Sequence, residues 1–441
     1  MAFRRLQTLA AIAILVAWSA WPNFVRGQES QLRAPAEALP PAAQPSPLDH
    51  RMEIAIGPAR LEELEELATH HHPQMASAWN AIRQAEGRTI QARLYPNPVF
   101  GQASPQINGS ESQYNLFFSQ DILTGGKLRI ASAAAAQEIE QAKLLVIRTR
   151  FDVITRVRRQ FYTTLAGQNR VAVLQDLVAI AGKSNEIGQA LLKGGEGTKT
   201  DTLLLEIELH KAEVTRQNSE TTFEAGKRQL AAAVGLPQLP IETLYGDLAA
   251  ELPKFELAEV QQGAIALNAQ SGIAQLEVAR TRLLLNRAIV EPSPTFNVMA
   301  GYQYQVAPVG HDQAITQVTM TVPLWDKNQG NIRAADAAIH RAEAEVQRVH
   351  VELAAAAAEA LGRYRTAGQL VAKYQADIIP KSRQSVELTQ RLYEQGQIDF
   401  LRLLAAQRTL SEVNLGYIDA QAARWDAAAD IANLLQVEEF P

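Results

Sequence analysis

The sequence predicts a mainly α chain with a small β part, organised as two tandem copies of one unit. Three observations carry that expectation. Two helix-forming stretches of some 65 residues, from about Gly126 to Lys193 and from about Gly330 to Glu394, are far longer than ordinary globular helices. Four short segments, in two pairs, alternate apolar and polar residues at the strand period of two. Landmarks then recur about 200 residues apart. Asn97-Pro98 before Phe100 matches Ser293-Pro294 before Phe296, offset 196; Gly126-Lys-Leu-Arg129 matches Gly330-Asn-Ile-Arg333, offset 204; and Gly195, Leu203 and Leu209 match Gly396, Leu404 and Leu410, offset 201. Three landmarks in one order with small shifts between them describe a duplication with loop insertions.

The elements follow in order. The start, "MAFRRLQTLAAIAILVAWSAWPNFVRGQ", places Arg4 and Arg5 ahead of an apolar run from about Leu9 to Trp21, the layout of a secretory signal peptide over residues 1–27. That run is shorter than the ~20 residues a spanning helix needs. Residues 28–57 form a linker rich in Pro and Ala, without periodicity. The first repeat, 58–240, opens with helical spacing at Leu61, Leu64, Leu67, Trp79 and Ile82, interrupted at Pro73. Strands are expected within 98–122. The long helix beginning at Gly126 contains no proline and would extend ~100 Å at 1.5 Å per residue. It breaks at "KGGEGTKTD", where Gly194, Gly195 and Gly197 supply the backbone freedom of a tip near 194–200, and a returning helix follows.

The second repeat, 241–437, repeats the order. Its strands lie within 294–322, and its hairpin tip lies near 394–399 at Gly396 and Gln397. Pro380 lies inside the long helix, so a kink or junction belongs there. Helices this long, paired antiparallel through a short turn, are coiled-coil hairpins. Ala133–Ala136 and Ala354–Ala358 fit either close helix approach or high helix propensity alone.

In "PTFNVMAGYQYQV", Phe296, Val298, Ala300, Tyr302, Tyr304 and Val306 fall on one face, and Asn297, Gly301, Gln303 and Gln305 on the other. "QAITQVTMTV" and "YNLFFSQDI" alternate likewise; "VFGQASPQIN" does so only weakly. An aromatic face opposed to amides and hydroxyls suits a wall between lipid and water, with Phe296, Val298, Tyr302 and Tyr304 toward lipid. Four strands cannot close a membrane barrel, which needs about eight, so several chains must pool theirs.

Composition narrows the function. The chain of 441 residues is 47% hydrophobic and 20% charged, with a net charge of −5 and basic residues dispersed, which disfavours nucleic-acid binding. It has no cysteine, which excludes disulfides, thiolate metal sites and cysteine nucleophiles. "TGGKL" lacks the first glycine and the hydroxyl of a phosphate loop, and no G-x-S-x-G or H-E-x-x-H motif occurs. No catalytic constellation, cofactor site or metal site is therefore expected. Consecutive His70, His71 and His72 lie ~100° apart on a helix and cannot converge on one ion there. His72-Pro73 instead aligns with Asn268-Ala269 at offset 196, near a helix start in both halves, where a cap followed by proline is favourable. Asn108-Gly-Ser110 is a formal glycosylation sequon that carries little weight.

Four stretches, "LYPNPVFG", "FFSQDILTGGKLRIASA", "VTMTVPLWDKNQGNIRAA" and "YEQGQIDFLRLLAAQRTLSEV", in that order over about residues 58–437, resemble the TolC-like family of outer-membrane efflux proteins. The resemblance implies a homotrimer in the outer membrane, its strands forming one twelve-stranded barrel continued by an α-helical barrel across the periplasm. It implies a passive exit duct, coupled by a periplasmic adaptor to an inner-membrane pump, with the hairpin tips meeting the adaptor. A periplasmic adaptor would show a single hairpin, and a coiled-coil scaffold would leave the aromatic strand faces unexplained. In familiar members aspartates six and nine positions after the second turn glycine ring the gate. Here those positions hold Arg402 and Ala405, and the expectation is that Arg402 pairs with Asp201 or Asp399.

Overall fold

The structure, a computed structural model, describes residues 58–107, 112–195, 197–305, 311–395 and 397–438. The expected signal peptide and linker, the sequon, Val306 and Gly396 lie outside the described residues. Helices α1 (Leu61–His71) and α2 (Pro73–Arg93) lead to strands β1 (Val99–Gln106) and β2 (Gln113–Ile122), then to α3 (Lys127–Gly194) and the returning α4 (Lys199–Val234). The order repeats as α5 (Leu257–Leu267), α6 (Ala269–Val290), β3 (Phe296–Gln305), β4 (His311–Met320), α7 (Gln329–Lys373), α8 (Ile379–Glu394) and α9 (Phe400–Leu435). Among the described residues no helix is long and apolar enough to cross a membrane.

Local chemistry sets the boundaries, and the repeats share it. His72, at φ −68° and ψ 129°, caps α2 by accepting at Nδ1 from the Gln74 N–H at 3.2 Å. Asn268, at φ −69° and ψ 127°, caps α6 by accepting at Oδ1 from the Gln270 N–H at 2.9 Å. The two residues are the offset pair read from the sequence, and each satisfies one orphan donor of a helix start. At the first tip α3 ends on Gly195 at φ 80°, and Thr198 Oγ1 caps α4 through the Asp201 N–H at 3.2 Å. The 68 residues of α3 run unbroken, whereas α7 passes into α8 through a π-helical turn at Tyr374–Ile378, just ahead of Pro380. A proline removes one donor and clashes with the preceding turn, and the wider turn makes room for it.

The strands form one antiparallel sheet in the order β1-β2-β3-β4. The main core lies on the helices, where α3 meets α1, α4 and α9. Phe161, Tyr162 and Leu165 of α3 pack with Trp425 and Ile431 of α9 and with Leu244 and Leu248 of the segment joining the repeats. Tyr162 and Trp425 stack at 4.0 Å, and Trp425 Nε1–H donates to the Leu248 carbonyl at 3.0 Å. The Gln168 side chain donates to the Leu244 carbonyl at 3.1 Å and accepts its N–H at 2.9 Å, which ties the joining segment to α3. Arg158 is buried and donates to Glu65 at 2.6 and 3.3 Å. Burial pushes the Glu65 carboxyl up against the opposing pull of that guanidinium.

The two hairpins are laced together along α3 and α9. Arg159 of α3 and Arg363 of α7 share Asp426 and Asp430 of α9. Arg170 pairs with Asp419, Gln407 donates to Ser184 Oγ at 2.7 Å, and Arg408 donates to Glu208 at 3.0 and 2.7 Å. These contacts descend in sequence from the core toward the tips, so the tips are held level.

Candidate functional site

Directly paired residues of a sheet share a face, so the register sorts the side chains. Phe296, Val298, Ala300, Tyr302 and Tyr304 of β3 pair with Ile122, Gln120, Phe118, Leu116 and Tyr114 of β2 and with Met320, Val318, Thr316, Ala314 and Asp312 of β4. Phe100 of β1 joins the same face opposite Phe118. Of these, Phe100, Tyr114, Leu116, Phe118, Val298, Tyr302, Val318 and Met320 are exposed in the single chain, and Phe296 is half-buried. The opposite face carries Asn115, Ser119, Asp121, Asn297, Gln303, Gln313, Gln317 and Thr319, with Asn297 Nδ2 donating to Asp121 at 2.7 Å. One side of the sheet is thus apolar and uncovered, and the other is a field of amides and hydroxyls.

Val99, Met299 and Ile315 interrupt the polar face, and Phe117 is its one aromatic residue among the paired positions, to which the sequence reading assigned no role. A Cβ on Gly101 would meet its ring at 2.6 Å, and one on Gly301 would meet the Leu116 carbonyl at 2.6 Å and Phe117 Cβ at 3.1 Å. Two glycines on neighbouring strands make the slot that holds this ring. Their alignment across β2 was the available signal, but it needs the register to be seen.

At the helix-proximal end of the sheet, Lys127 opens α3 with its ammonium buried, 3.4 Å from Thr295 Oγ1 and 3.8 Å from Glu291. Thr124 Oγ1 donates to the Pro294 carbonyl. These bonds tie the end of the first strand pair to the start of the second. Tyr95 and Trp325 stand exposed at this same end, beside the edge strands β1 and β4.

At the far end of the helices, Leu205 of α4, Tyr393 of α8, and Phe400, Leu403 and Leu404 of α9 form a small core with Ile187, Leu191 and Ile398. Burial, then the charges of Asp201 and Asp399, push the Tyr393 hydroxyl up. The turns close through the Gly197 N–H to the Leu191 carbonyl and the Gln397 N–H to the Leu392 carbonyl. The expected ion pair is absent within the chain: among the described residues the Arg402 N–H donates to the Asp399 carbonyl at 3.1 Å, but no ion pair joins its guanidinium to Asp201 or Asp399. Helix periodicity explains it. Arg402 lies ~200° around α9 from Phe400 and so points away from the side that buries Phe400, Leu403 and Leu404. The Asp201 carboxylate instead accepts from Thr198 Oγ1 at 2.7 Å.

The family model described as outer membrane efflux protein matches residues 259–436, the second of the two repeats. The cobalt-zinc-cadmium resistance protein CzcC of Cupriavidus metallidurans is 23% identical over 383 residues, covering 86% of this chain and 91% of that protein. The pyoverdine export outer membrane protein OpmQ of Pseudomonas putida is 24% identical over 429 residues, covering 87% and 85%. The outer membrane protein VceC of Vibrio cholerae superposes with a TM-score of 0.71 at 16% identity, covering 85% of this chain and 96% of that one.

The chain matches the outer membrane efflux protein family over its second repeat and aligns with the two relatives over both repeats. It is a TolC-like outer-membrane channel subunit of an efflux system, extending from the outer membrane into the periplasm. The family consists of passive channels that work in tripartite systems. Its wall is the sheet and its shaft the paired hairpins. The histidine run that drew a metal reading resolves locally: His70 and His71 are exposed in the last turn of α1, while His72 is buried in the cap with its pKa lowered by that burial and by Arg156. Among the described residues no group of His, Cys, Asp and Glu could hold a metal ion.

Proposed function

We propose that three copies of this outer membrane efflux protein pool their sheets into one twelve-stranded barrel, with the apolar face in lipid and the amide face lining water. The observation that carries the reading is the uncovered aromatic face shared by all four strands, opposed by a polar one. Packing on the chain's own helices would have hidden that face. The free edges of β1 and β4 support joining copy to copy, since an unpaired ladder demands a partner. Trp325, 87% exposed, and Tyr95 then stand where the barrel meets the helices, at the level of the lipid headgroups.

The repeats 58–240 and 241–437 each contribute one strand pair and one hairpin. The tips, at Gly194, Gly195, Gly197, Gly396 and Gln397, face the periplasm and meet an adaptor that couples the duct to an inner-membrane pump. Arg402, exposed with Asp399 near the second tip, lines the constriction there as a ring of three. The duct does not select its cargo. The two relatives carry names for metal resistance and for siderophore export, and the described residues hold no metal-ligand cluster.

The test is fractionation and reconstitution. The protein should run as heat-resistant trimers from the outer-membrane fraction and conduct ions in planar bilayers. Cysteines replacing Lys199 and Gln397 should crosslink to the adaptor in cells. Labelling of both sites by an impermeant reagent from outside intact cells would reverse the orientation.

A further inference from the structure

We infer that the inner wall of the duct carries, at mid-height on each copy, a binding site for small hydrophilic organic anions, a hydroxylated carboxylate being the chemistry that fits it; this rests on the closed duct proposed above. The site is a cavity of about 670 Å3 between the start of α2, the middle of α3 and the end of α9. That is the size of a metabolite pocket. Gln74 and Ser77 of α2, Arg156, Gln160 and Thr163 of α3, and Asn433 of α9 offer it amides, hydroxyls and a guanidinium. Among the described residues its lining holds no aromatic side chain, and only Ala78, Ala81 and Leu145 are apolar. A flat apolar cargo would gain little there.

The free charge of the cavity is positive. Its carboxylates are already engaged: Asp430 receives Arg159 at 3.0 Å and Arg363 at 2.5 Å, while Asp152 is turned toward Arg148 at 3.7 Å and accepts from Asn433 Nδ2 at 3.5 Å. Arg156 is exposed, and among the described residues its guanidinium has no ion pair and one hydrogen bond, to Gln74 Oε1 at 3.4 Å. Its charge is felt nearby, since burial and then Arg156 lower the pKa of His72. Helix α2 starts at Pro73, so the positive end of its dipole adds to the same field. In the same wall Thr155, 5% exposed, has a hydroxyl with no hydrogen-bond partner among the described residues. An arginine fork matches a carboxylate with two parallel bonds, and the surrounding amides suit hydroxyl groups on the same molecule.

The cavity lies on the side of α3 that the duct would enclose. Arg156, Arg159 and Thr163 lie ~140–160° around α3 from Phe161. Phe161 faces the layer made by α1 and the segment joining the repeats. Three copies of that layer inside a ring would fill its bore, so the layer belongs outside and the cavity inside. Counted along α3 at 1.5 Å per residue, Arg156 stands ~44 Å from the sheet end at Lys127 and ~57 Å from the tip at Gly194. Arg402, near the second tip, is thus many times the ~8 Å Debye length away, and the two arginine levels act independently. A weak site halfway along the duct concentrates an anion in transit without holding it, and the choice of cargo stays with the pump.

The probe is citrate, which joins carboxylates to a hydroxyl. Added to reconstituted trimers in a fixed chloride background, it should interrupt the single-channel current in a saturable way, and glucose at the same concentration should not. Saturation-transfer NMR on the full-length protein in detergent should show the contact directly. Arg156→Gln should raise the citrate concentration needed for either effect about ten-fold, the worth of a charged hydrogen bond, with trimer yield unchanged. Gln160→Glu leaves the guanidinium in place but gives it a carboxylate one turn away, and should weaken citrate as much. Arg156→Lys should retain part of the effect, and Arg402→Gln should retain all of it. A conducting channel on which citrate does not act, or acts equally in Arg156→Gln and Gln160→Glu, would overturn the inference. So would loss of the effect in Arg402→Gln, which would move the site to the tip. Trimers that do not conduct would overturn the duct, whereas an NMR contact that depends on Arg156 would still establish the cavity as the site.

Discussion

Placing a charge at Tyr302 tests which face of the sheet meets lipid. Strand β3 has 10 residues, which span ~33 Å at 3.3 Å each and ~25 Å of membrane depth at a tilt near 40°. That height equals the apolar band of an outer-membrane barrel. Tyr302 lies six residues from the helix-proximal end, at a depth of ~15 Å, near the midplane. There an arginine facing lipid costs ~2–4 kcal/mol, which is ~30–1,000-fold in the folded population of each copy. Three copies multiply the effect. Val298, at ~5 Å, lies close to the interface, where the same substitution costs ~0–1 kcal/mol. Gln303, paired with Asn115 and Gln313 on the amide face, should accept arginine with little loss. The assay is urea-dependent folding into lipid vesicles, with trimer yield in the outer membrane beside it. The expected order of damage is Tyr302→Arg, then Val298→Arg, then Gln303→Arg. Normal assembly of Tyr302→Arg with failure of Gln303→Arg would refute the assignment, because the facing would then be inverted.

Other outcomes follow from the same geometry. Arg402→Gln should shift the selectivity of the reconstituted channel away from anions with little change in conductance; a rise in conductance at unchanged selectivity would mean that Arg402 holds the tip shut by pairing with another copy. Arg408, by its hydrogen bonds, holds the Glu208 carboxyl below its ordinary value. The stability this contributes is therefore complete above about pH 4.3 and lost as pH falls through the lower folded value. Hydrogen exchange at the start of α4 and α9 should accelerate over that window, and Arg408→Ala should remove the pH dependence. Gly301→Ala should lower trimer yield sharply because its Cβ would meet the Leu116 carbonyl, which no rotamer can move, whereas Gly101→Ala meets only the tip of the Phe117 ring and should be milder. His72→Asn should be tolerated, since it copies the cap of the second repeat, while His72→Ala should lower thermal stability by about 1 kcal/mol.

What could be read from the sequence was whatever has a period or a repeat. The long helices, the strand segments and the tips follow from spacings of 3.6 and 2 and from glycine breaks. Duplication then turned His72 from a metal candidate into a cap, because Asn268 occupies the matching place. What stayed hidden depends on which residues meet across the chain. The sharing of Asp426 and Asp430 by Arg159 and Arg363 joins residues up to 271 positions apart, and sequence shows only the i, i+4 aspartate pair. The expected pairing of Arg402 is not made within the single chain, for a related reason. Proximity in sequence to Asp399 says nothing about the side of α9 on which the guanidinium stands. Pro380 announced an interruption, but not that a wider turn would absorb it and let the helix continue.

The duplicated halves have become unequal, and the inequality concerns how each hairpin is held. Helix α3 crosses from the sheet to the first tip without a break and packs on α1, α2, α4, α6 and α9, with much of the main core built on its middle third. Its counterpart is divided. α7 carries the upper part, buried through Leu353, Leu361 and Tyr364, while α8 below the π turn is anchored by only Ser382, Val386 and Tyr393. The π turn itself buries no residue and is bridged on its exposed side by Asp377 to Lys373 and Lys381. Local opening follows the density of buried apolar contacts. Helix α8 therefore has little apolar contact holding it to its own chain, and the lower second hairpin is anchored chiefly through Phe400, Leu403 and Leu404 of α9. α8 carries the exposed Leu388 and leads into the tip ahead of Arg402, so the segment next to the proposed constriction is held more by contacts at its ends than along its length.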